Sequence, residues 1–166
     1  MEQDSAAKNA RLQAKYRVTA LFYDILDYPW ERLYKKWRPA LLGDIRGQVL
    51  EAGVGTVRNL KHYHERVELV GVDLSEAMLR KAGQRAKEAS CGLDLVHDDA
   101  TTLASQDSAR FDWVVSTFMC CVMPDELQTK AVEQFARVLR PGGRFKLLEM
   151  VFSKDGKIRK RQQRFA

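Results

Sequence analysis

The feature that most constrains the fold is a glycine turn between two short apolar runs, each of which ends in a carboxylate. The first run begins at Val49 and ends at Glu51, Gly53 and Gly55 follow, and the second run ends at Asp73. Glycine tolerates backbone angles that other residues avoid and lets a ligand approach the main chain closely. A carboxylate at the end of the next strand is placed to accept hydrogen bonds from ribose hydroxyls. The pattern therefore indicates a site for a nucleoside-containing cofactor.

Beyond this turn, the chain alternates between β-rich apolar runs and amphipathic segments. The predicted strands cover residues 48–52, 68–72, 93–97, 111–117 and 144–150, and the predicted helices between them cover 57–63, 75–89 and 125–139. Strands separated by helices imply βαβ units and a parallel sheet, with the ligand crevice at the carboxyl ends of the strands. Ser75 is the predicted N-cap of the second of these helices. The predicted class is α/β, with a doubly wound, mainly parallel sheet.

The chain of 166 residues fits one domain that can bury a core. Apolar residues recur at three- and four-residue steps over 8–24, and a second helix is predicted after Pro29. The predicted organisation is N-terminal helices in 1–46 that cap the ligand side, a cofactor-binding core in 47–153, and a basic, helix-like tail in 154–166.

The formal net charge of +6 is concentrated in the tail. Residues 154–166 hold six basic side chains against one acidic one, a local net charge of +5, which leaves +1 for the rest of the chain. The basic character therefore belongs to the tail, and a general nucleic-acid surface is disfavoured. We expect the tail to be a solvated helix face or, in the sharper interpretation, a segment that binds the anionic lipid of a membrane surface or RNA phosphate.

The cysteines argue against a disulfide framework. Their number is odd, and two of the three, Cys120 and Cys121, are adjacent in sequence. Neither these cysteines nor the three histidines have the spacing of metal ligands, so no metal site is predicted. The N-terminus lacks the order of a secretory signal, and a cytoplasmic location is expected.

Two ligand classes compete for the glycine turn. A dinucleotide fingerprint requires G-x-G-x-x-G, and Arg58 stands at the position of its third glycine. The alternative is a carboxylate-x-G-x-G loop, and the segment 51–55 (EAGVG) resembles motif I of class I S-adenosylmethionine-dependent methyltransferases. Asp73 matches the acid that ends their second strand, and the segment 98–100 (DDA) is similar to their adenine-contacting step.

Further segments are similar to one branch of that family, the ubiquinone/menaquinone and phospholipid N-methyltransferase-like branch. The resemblance covers about residues 15–165 and implies a Rossmann-like fold with N-terminal helices, in which the final strands of the family are missing here. The hallmarks of this branch are 21–24 (LFYD), 58–60 (RNL), 116–118 (STF), Cys121 and 124–125 (PD), whereas 111–116 (FDWVVS) and 139–144 (LRPGGR) resemble motifs of the family as a whole.

The resemblance implies S-adenosylmethionine as cofactor and S-adenosylhomocysteine as product. The residues that it assigns to cofactor binding are Glu51, Gly53, Gly55, Asp73, Leu74, Met78, Asp99, Ala100, Ser116 and Thr117. Glu51 and the two glycines would face the methionine end, Asp73 the ribose, and Asp99 the adenine. Tyr23 is the candidate catalytic residue, closing over the cofactor and the acceptor. A general base stays open among Tyr16, Tyr23, Asp24 and His97.

The resemblance implies a methyltransferase that acts on a small-molecule or lipid-like acceptor, a phospholipid amine or a quinone-type compound. Two departures from the family support an alternative, a cofactor-binding or interaction domain with impaired catalysis. Val57 replaces a glycine, and a β-branched side chain there should strain the backbone, add bulk beside the methionine tail and weaken cofactor binding. The chain also stops soon after the fifth strand, whose open edge suggests a homodimer. A nicotinamide-dependent oxidoreductase is disfavoured by Arg58.

Overall fold

Five parallel strands form one sheet in the computed structural model, which describes residues 36–163. The strands pair in the order β3-β2-β1-β4-β5, and each of the four pairings within the described range is parallel. Their bounds are β1 Gly47–Ala52, β2 Val67–Asp73, β3 Gly92–His97, β4 Phe111–Thr117 and β5 Leu139–Leu148. The predicted α/β class with a doubly wound parallel sheet is confirmed.

Helices flank the sheet and have local signals that explain their ends. Their bounds are α1 Trp37–Leu42, α2 Glu76–Arg85, α3 Asp125–Val138 and α4 Gly156–Gln163. The predicted N-cap of α2 is confirmed, because the Ser75 hydroxyl accepts a hydrogen bond from the backbone N–H of Met78 at 3.4 Å. Asp125 and Glu126 occupy the first turn of α3, where negative charge suits the helix dipole.

The alternation of side chains along the strands builds two cores, one on each face of the sheet. In β1, Val49 packs with residues of α1 and α2, whereas Leu50 packs with Phe135 and other residues of α3. β1 lies at the centre of the sheet, and its two faces are therefore both covered. This explains why the consecutive residues Val49 and Leu50 are both apolar and buried.

The strand order reverses between β1 and β4. From β1 the chain proceeds outward to β2 and β3, and then returns to the other side of β1 as β4 and β5. The connections after β1 and β4 therefore diverge and leave a crevice at the carboxyl edge of the sheet, where ligands bind in open α/β folds.

Three predicted elements differ from the structure by more than one residue. The helix predicted over 57–63 is a series of turns with a 3₁₀ helix at Leu60–His62, because Val57 has φ +55° and interrupts right-handed helical geometry. The helix predicted over 75–89 ends at Arg85 and continues as a 3₁₀ turn. The fifth strand begins at Leu139 rather than at 144, with irregular pairing to the start of β4, and ends at Leu148.

The helix predicted over 8–24 and Tyr23 lie outside the described residues, and of the second N-terminal helix the structure describes only the part in α1. The proposed domain boundaries at 46 and 153 stay predictions. No helix between 36 and 163 is long and apolar enough to cross a bilayer.

Candidate functional site

A cavity opens at the crevice between the ends of β1, β2 and β4. Eight of the ten residues predicted to bind cofactor line it, and the other two, Glu51 and Ser116, are buried outside its lining. The full set of lining residues is Gly53, Gly55, Val72, Asp73, Leu74, Met78, Asp98, Asp99, Ala100, Thr117, Phe118, Met119, Val122 and Met123.

The glycine turn forms the floor of this cavity. Gly53 and Gly55 have φ values of +71° and +55°, a left-handed backbone that glycine adopts without steric cost. The backbone N–H of Gly53 donates to the carbonyl of Val72 at 2.9 Å, which joins the end of β1 to the end of β2. Strand pairing thus continues into the turn and holds it close to Asp73.

Asp73 ties the turn to the start of α2. Its Oδ2 accepts from the N–H of Gly55 at 2.8 Å, and its Oδ1 accepts from the N–H of Ser75 at 2.9 Å. Burial raises the pKa of Asp73, while these two N–H groups and His97 oppose the rise. A carboxylate has about four lone-pair positions, so Asp73 retains capacity to accept from a ligand diol.

Asp98 and Asp99 both reach the cavity but differ in their partners. Asp98 accepts from the N–H of Asp99 at 2.7 Å and from the N–H and hydroxyl of Ser105, so both of its oxygens stabilise the loop after β3. Asp99 Oδ1 accepts from the N–H and hydroxyl of Thr101 at 2.8 and 2.7 Å. Ala100, in the same loop, also lines the cavity and has a small side chain.

Glu51 lies behind the cavity rather than in it. The side chain is only 2% exposed, and its oxygens accept from Asn59 Nδ2 at 2.7 Å and from the Tyr63 hydroxyl at 2.8 Å. Burial raises the pKa of Glu51 to about 7, against the opposing effects of the two hydrogen bonds and of Arg38. Through these two hydrogen bonds, Glu51 fixes the connection after β1, to which Asn59 and Tyr63 belong.

Arg38 completes this buried group, and sequence reasoning did not identify it. Its guanidinium donates to Asn59 Oδ1 and, at 3.4 Å, to Thr117 Oγ1, and it lies 5.5 Å from the centre of the Phe118 ring. Thr117 and Phe118 line the cavity, so Arg38 and Asn59 support that wall from outside. An arginine in an amphipathic segment gives no sequence signal of such a role. Asn59 belongs to the segment 58–60 of the family resemblance, but the sequence predicted no contact for its side chain.

Val57 is strained but does not enter the cavity. Its side chain is 4% exposed and packs in the core on the α1 and α2 face, with Leu60 and Tyr63 among its neighbours. The φ of +55° confirms the expected backbone strain. The expected bulk in the site is wrong, because the left-handed turn directs the side chain into the core.

The cysteines near the site are not prepared as nucleophiles. Burial, followed by the charge of Glu149, raises the pKa of Cys120 to about 12 and of Cys121 to about 11. Ser116 is fully buried beside Cys120. Across residues 36–163, no group of three or more His, Cys, Asp or Glu side chains has the arrangement of a metal site.

Comparison with known proteins identifies the same region. The family profile described as "Methyltransferase domain" matches residues 49–143, more than half of the chain. A phosphatidylethanolamine N-methyltransferase of Cereibacter sphaeroides is 40% identical over 101 residues, covering 58% of this chain and 47% of that protein. A demethylmenaquinone methyltransferase of Staphylococcus saprophyticus is 30% identical over 156 residues, covering 88% of this chain and 65% of that protein.

Solved structures share the fold. A structure described as a DhpI-SAM-HEP complex has a TM-score of 0.71 at 20% identity, covering 90% of this chain and 68% of that one. A DhpI-SAH complex has the same TM-score at 21% identity, covering 84% and 68%. The chain spans about half to two thirds of the length of the curated relatives described above.

Proposed function

The chain belongs to the methyltransferase domain family, and from this premise we propose that it is an S-adenosylmethionine-dependent methyltransferase with a lipid-like acceptor. The observation that carries the proposal is the cavity at the β1/β4 crevice, where the glycine turn, Asp73 and Asp99 converge. Class I methyltransferases use this combination for their cofactor, and the dinucleotide alternative lacks its third glycine at Arg58.

The lining of the cavity fits the parts of the proposed cofactor. Asp73 offers carboxylate lone pairs to the two ribose hydroxyls, and Leu74 and Met78 provide apolar surface beside them. Asp99 and Ala100, in the loop after β3 where the N–H of Asp98 donates to the carbonyl of Asp73 at 3.3 Å, suit the polar edge and the face of an adenine ring. The glycine turn leaves main chain open to the methionine end.

The sulfonium of the cofactor supplies an already electrophilic methyl group. The protein therefore needs to align the acceptor, exclude water and accept a proton where the acceptor loses one. Thr117, Phe118 and Met119 form the wall that would separate the reacting atoms from solvent. The raised pKa values of Cys120 and Cys121 accord with a reaction in which no protein thiolate attacks.

The lipid-like acceptor is supported by the relatives and by one exposed surface. The relatives are named for a phospholipid amine and for a quinone precursor. The segment that runs from the end of β5 into α4 has several exposed apolar side chains among its basic residues. Val151 is the most exposed of them, with 78% of its surface accessible. We call this the C-terminal surface, and it consists of Met150, Val151, Phe152, Lys154, Lys157, Ile158, Arg159 and Lys160.

Such a surface suits the interface of an anionic bilayer. Apolar side chains enter the headgroup region, and each lysine or arginine near an anionic surface contributes about 1 kcal/mol. Asp155, whose Oδ1 accepts from the N–H groups of Lys157 and Ile158 at the start of α4, does not cancel this attraction in full, because it is one negative charge against the four basic side chains of this surface. We infer a protein that acts from the cytoplasm as a peripheral membrane enzyme, with residues 1–46 on the acceptor side.

A second copy of the chain is a candidate partner for the open edge of β5. Within the described range, β5 pairs with β4 on one side and with no strand on the other, and an open strand edge favours pairing with another chain. A molar mass in light scattering that stays at one chain over a hundredfold concentration range would reject the dimer. Nucleic acid is disfavoured because the positive charge is local.

The decisive assay offers the protein labelled S-adenosylmethionine with vesicles that contain phosphatidylethanolamine and an anionic lipid, or with demethylmenaquinone in the same vesicles. We expect label in the lipid extract with one of the two acceptors. Binding of S-adenosylhomocysteine without any transfer would instead support the alternative, a cofactor-binding domain that does not catalyse.

A further inference from the structure

The ends of β4 and β5 are neighbours at the carboxyl edge of the sheet. Because the two strands are parallel, Thr117 pairs with Leu148, and the N–H of Phe118 donates to the carbonyl of Leu148 at 2.8 Å. The residue that follows β5, Glu149, therefore emerges beside the segment that follows β4. We call residues 117–123 the β4 wall.

Three consecutive N–H groups of the β4 wall converge on the carboxylate of Glu149. Oε1 accepts from Met119 at 3.2 Å and from Cys120 at 3.0 Å, and Oε2 accepts from Cys121 at 3.1 Å. The 3₁₀ helix Cys120–Val122 begins at these donors. Hydrogen bonds to an ionised acceptor are about twice as strong as neutral ones, so this carboxylate is a strong anchor for the segment.

The β4 wall contributes a large part of the cavity lining. The residues that do so are Thr117, Phe118, Met119, Val122 and Met123. Met119 also closes directly on the glycine turn, since a Cβ atom built on Gly53 would lie 2.7 Å from Met119 Cγ. The position of Met119 therefore determines how much space lies above the turn.

The backbone of the β4 wall would not adopt this path without an external restraint. Phe118 has φ +58°, a left-handed conformation that costs an ordinary residue about 1–2 kcal/mol. Such a conformation persists only where surrounding contacts fix it. The anchor one residue further along the chain is such a contact.

We infer that Glu149 is a positioning residue, which holds the β4 wall against the glycine turn and so sets the width of the cofactor cavity. The part that concerns the cofactor rests on the proposed function. The anchoring itself rests on the contacts of Glu149 alone and can be measured without any ligand.

The reactivity of the two cysteine thiols provides an independent measure of the negative charge on Glu149. After burial, its charge is the next largest cause of the raised pKa of Cys120 and Cys121. Removal of the charge should therefore increase the thiolate fraction. Cys121 is the more exposed of the two residues, although burial still contributes to its raised pKa, and it is therefore the better reporter.

The test compares Glu149→Gln with wild type, with Glu133→Gln on the exposed side of α3 as the matched control. Glutamine keeps the length of the side chain, but it removes the charge and offers its NH₂ group to N–H donors. In Glu149→Gln we expect at least tenfold faster amide hydrogen exchange at residues 119–121 and faster alkylation of Cys121 by iodoacetamide. We also expect about tenfold weaker binding of S-adenosylhomocysteine, as loss of a charged hydrogen bond predicts.

Unchanged exchange and alkylation in Glu149→Gln would overturn the anchoring role. Faster exchange with unchanged affinity would overturn the claim that the wall sets the cavity. If wild type does not bind S-adenosylhomocysteine, the proposed function fails, and exchange and alkylation still decide the anchoring. Should Glu149→Gln not fold, Glu149→Asp keeps the charge on a shorter side chain, and wild-type exchange rates in that variant would contradict the inference.

Discussion

At the scale of single residues, Val57 shows that an apparent defect in a motif depends on where the side chain points. The residue stands where the resemblance to the family motif predicts a glycine, and it takes a left-handed backbone. Its isopropyl group nevertheless packs in the core and not in the cavity. The substitution therefore combines a backbone cost with a packing gain.

Val57→Gly should make the protein less stable without a large change in affinity. Loss of a buried valine side chain costs about 1.5–3 kcal/mol, while relief of the left-handed conformation returns about 1–2 kcal/mol. We expect the free energy of unfolding to fall by about 1 kcal/mol in urea titrations. Binding of S-adenosylhomocysteine should change by less than about threefold, and tenfold tighter binding would show that Val57 does obstruct the cofactor.

Glu51 should make stability depend on pH across the neutral range. Its pKa of about 7 in the folded state exceeds the ordinary value of 4.5, so the folded state holds the proton more tightly than the unfolded state does. The resulting stabilisation is complete below pH 4.5 and is lost as pH rises to about 7. At 1.36 kcal/mol per pKa unit, the loss is about 3 kcal/mol.

Glu51→Gln should remove this dependence. Glutamine can accept from Asn59 through its oxygen and donate to the Tyr63 hydroxyl through its nitrogen, so both contacts survive. Urea unfolding between pH 5 and pH 8 should show a decline in wild type that is absent in the variant. Glu65→Gln, at an exposed position, is the control and should keep the decline; parallel profiles for wild type and Glu51→Gln would contradict the assignment.

At the scale of elements, the strands and the cavity floor were predictable, but their supports were not. β-rich apolar runs, Ser75 and the glycine turn are local signals, and the structure has strands, an N-cap and a turn at those places. The helix over 57–63 was wrong because apolar spacing predicts a helix there, whereas the positive φ of Val57 is indicated only by its position in the glycine motif. The anchor formed by Glu149 joins residues about 30 positions apart, a contact that periodicity does not reveal.

The connection after β1 and the β4 wall have a common design. Each begins where a strand ends, carries a non-glycine residue with positive φ, and is held by a carboxylate near the carboxyl end of a strand, Glu51 in β1 or Glu149 just after β5. Asn59 and Arg38 then link the two segments through Thr117. The two sides of the cavity are therefore mechanically connected behind its lining.

At the scale of the whole molecule, the basic side chains and the exposed apolar side chains of the C-terminal surface occur together, next to one edge strand of the sheet. The C-terminal surface follows β5, the edge strand, while β3 lies at the opposite edge. A protein that binds a bilayer through this surface would place the carboxyl end of β5, and with it the β4 wall, near the lipid. This placement suits an acceptor that is drawn from the membrane.

Reversal of charge on the C-terminal surface should weaken binding to anionic vesicles. For Lys157→Glu with Lys160→Glu, we expect at least tenfold weaker cosedimentation with phosphatidylglycerol-containing vesicles at low salt, since each charge contributes about 1 kcal/mol. Lys61→Glu with Lys87→Glu makes the same change in net charge elsewhere on the exposed surface and should bind nearly as wild type does. Equal loss in both pairs would mean that net charge alone drives the association.

The measurement that tests the central claim most directly is calorimetric titration of wild type, Asp73→Asn and Asp94→Asn with S-adenosylhomocysteine, with NAD⁺ as a second ligand. Asp73 lines the cavity, whereas Asp94 is exposed on β3 and serves as the control. We predict that wild type and Asp94→Asn bind S-adenosylhomocysteine alike, that Asp73→Asn binds it at least tenfold more weakly, and that none binds NAD⁺. Wild type that binds no S-adenosylhomocysteine, or equal affinity in Asp73→Asn, would contradict the account.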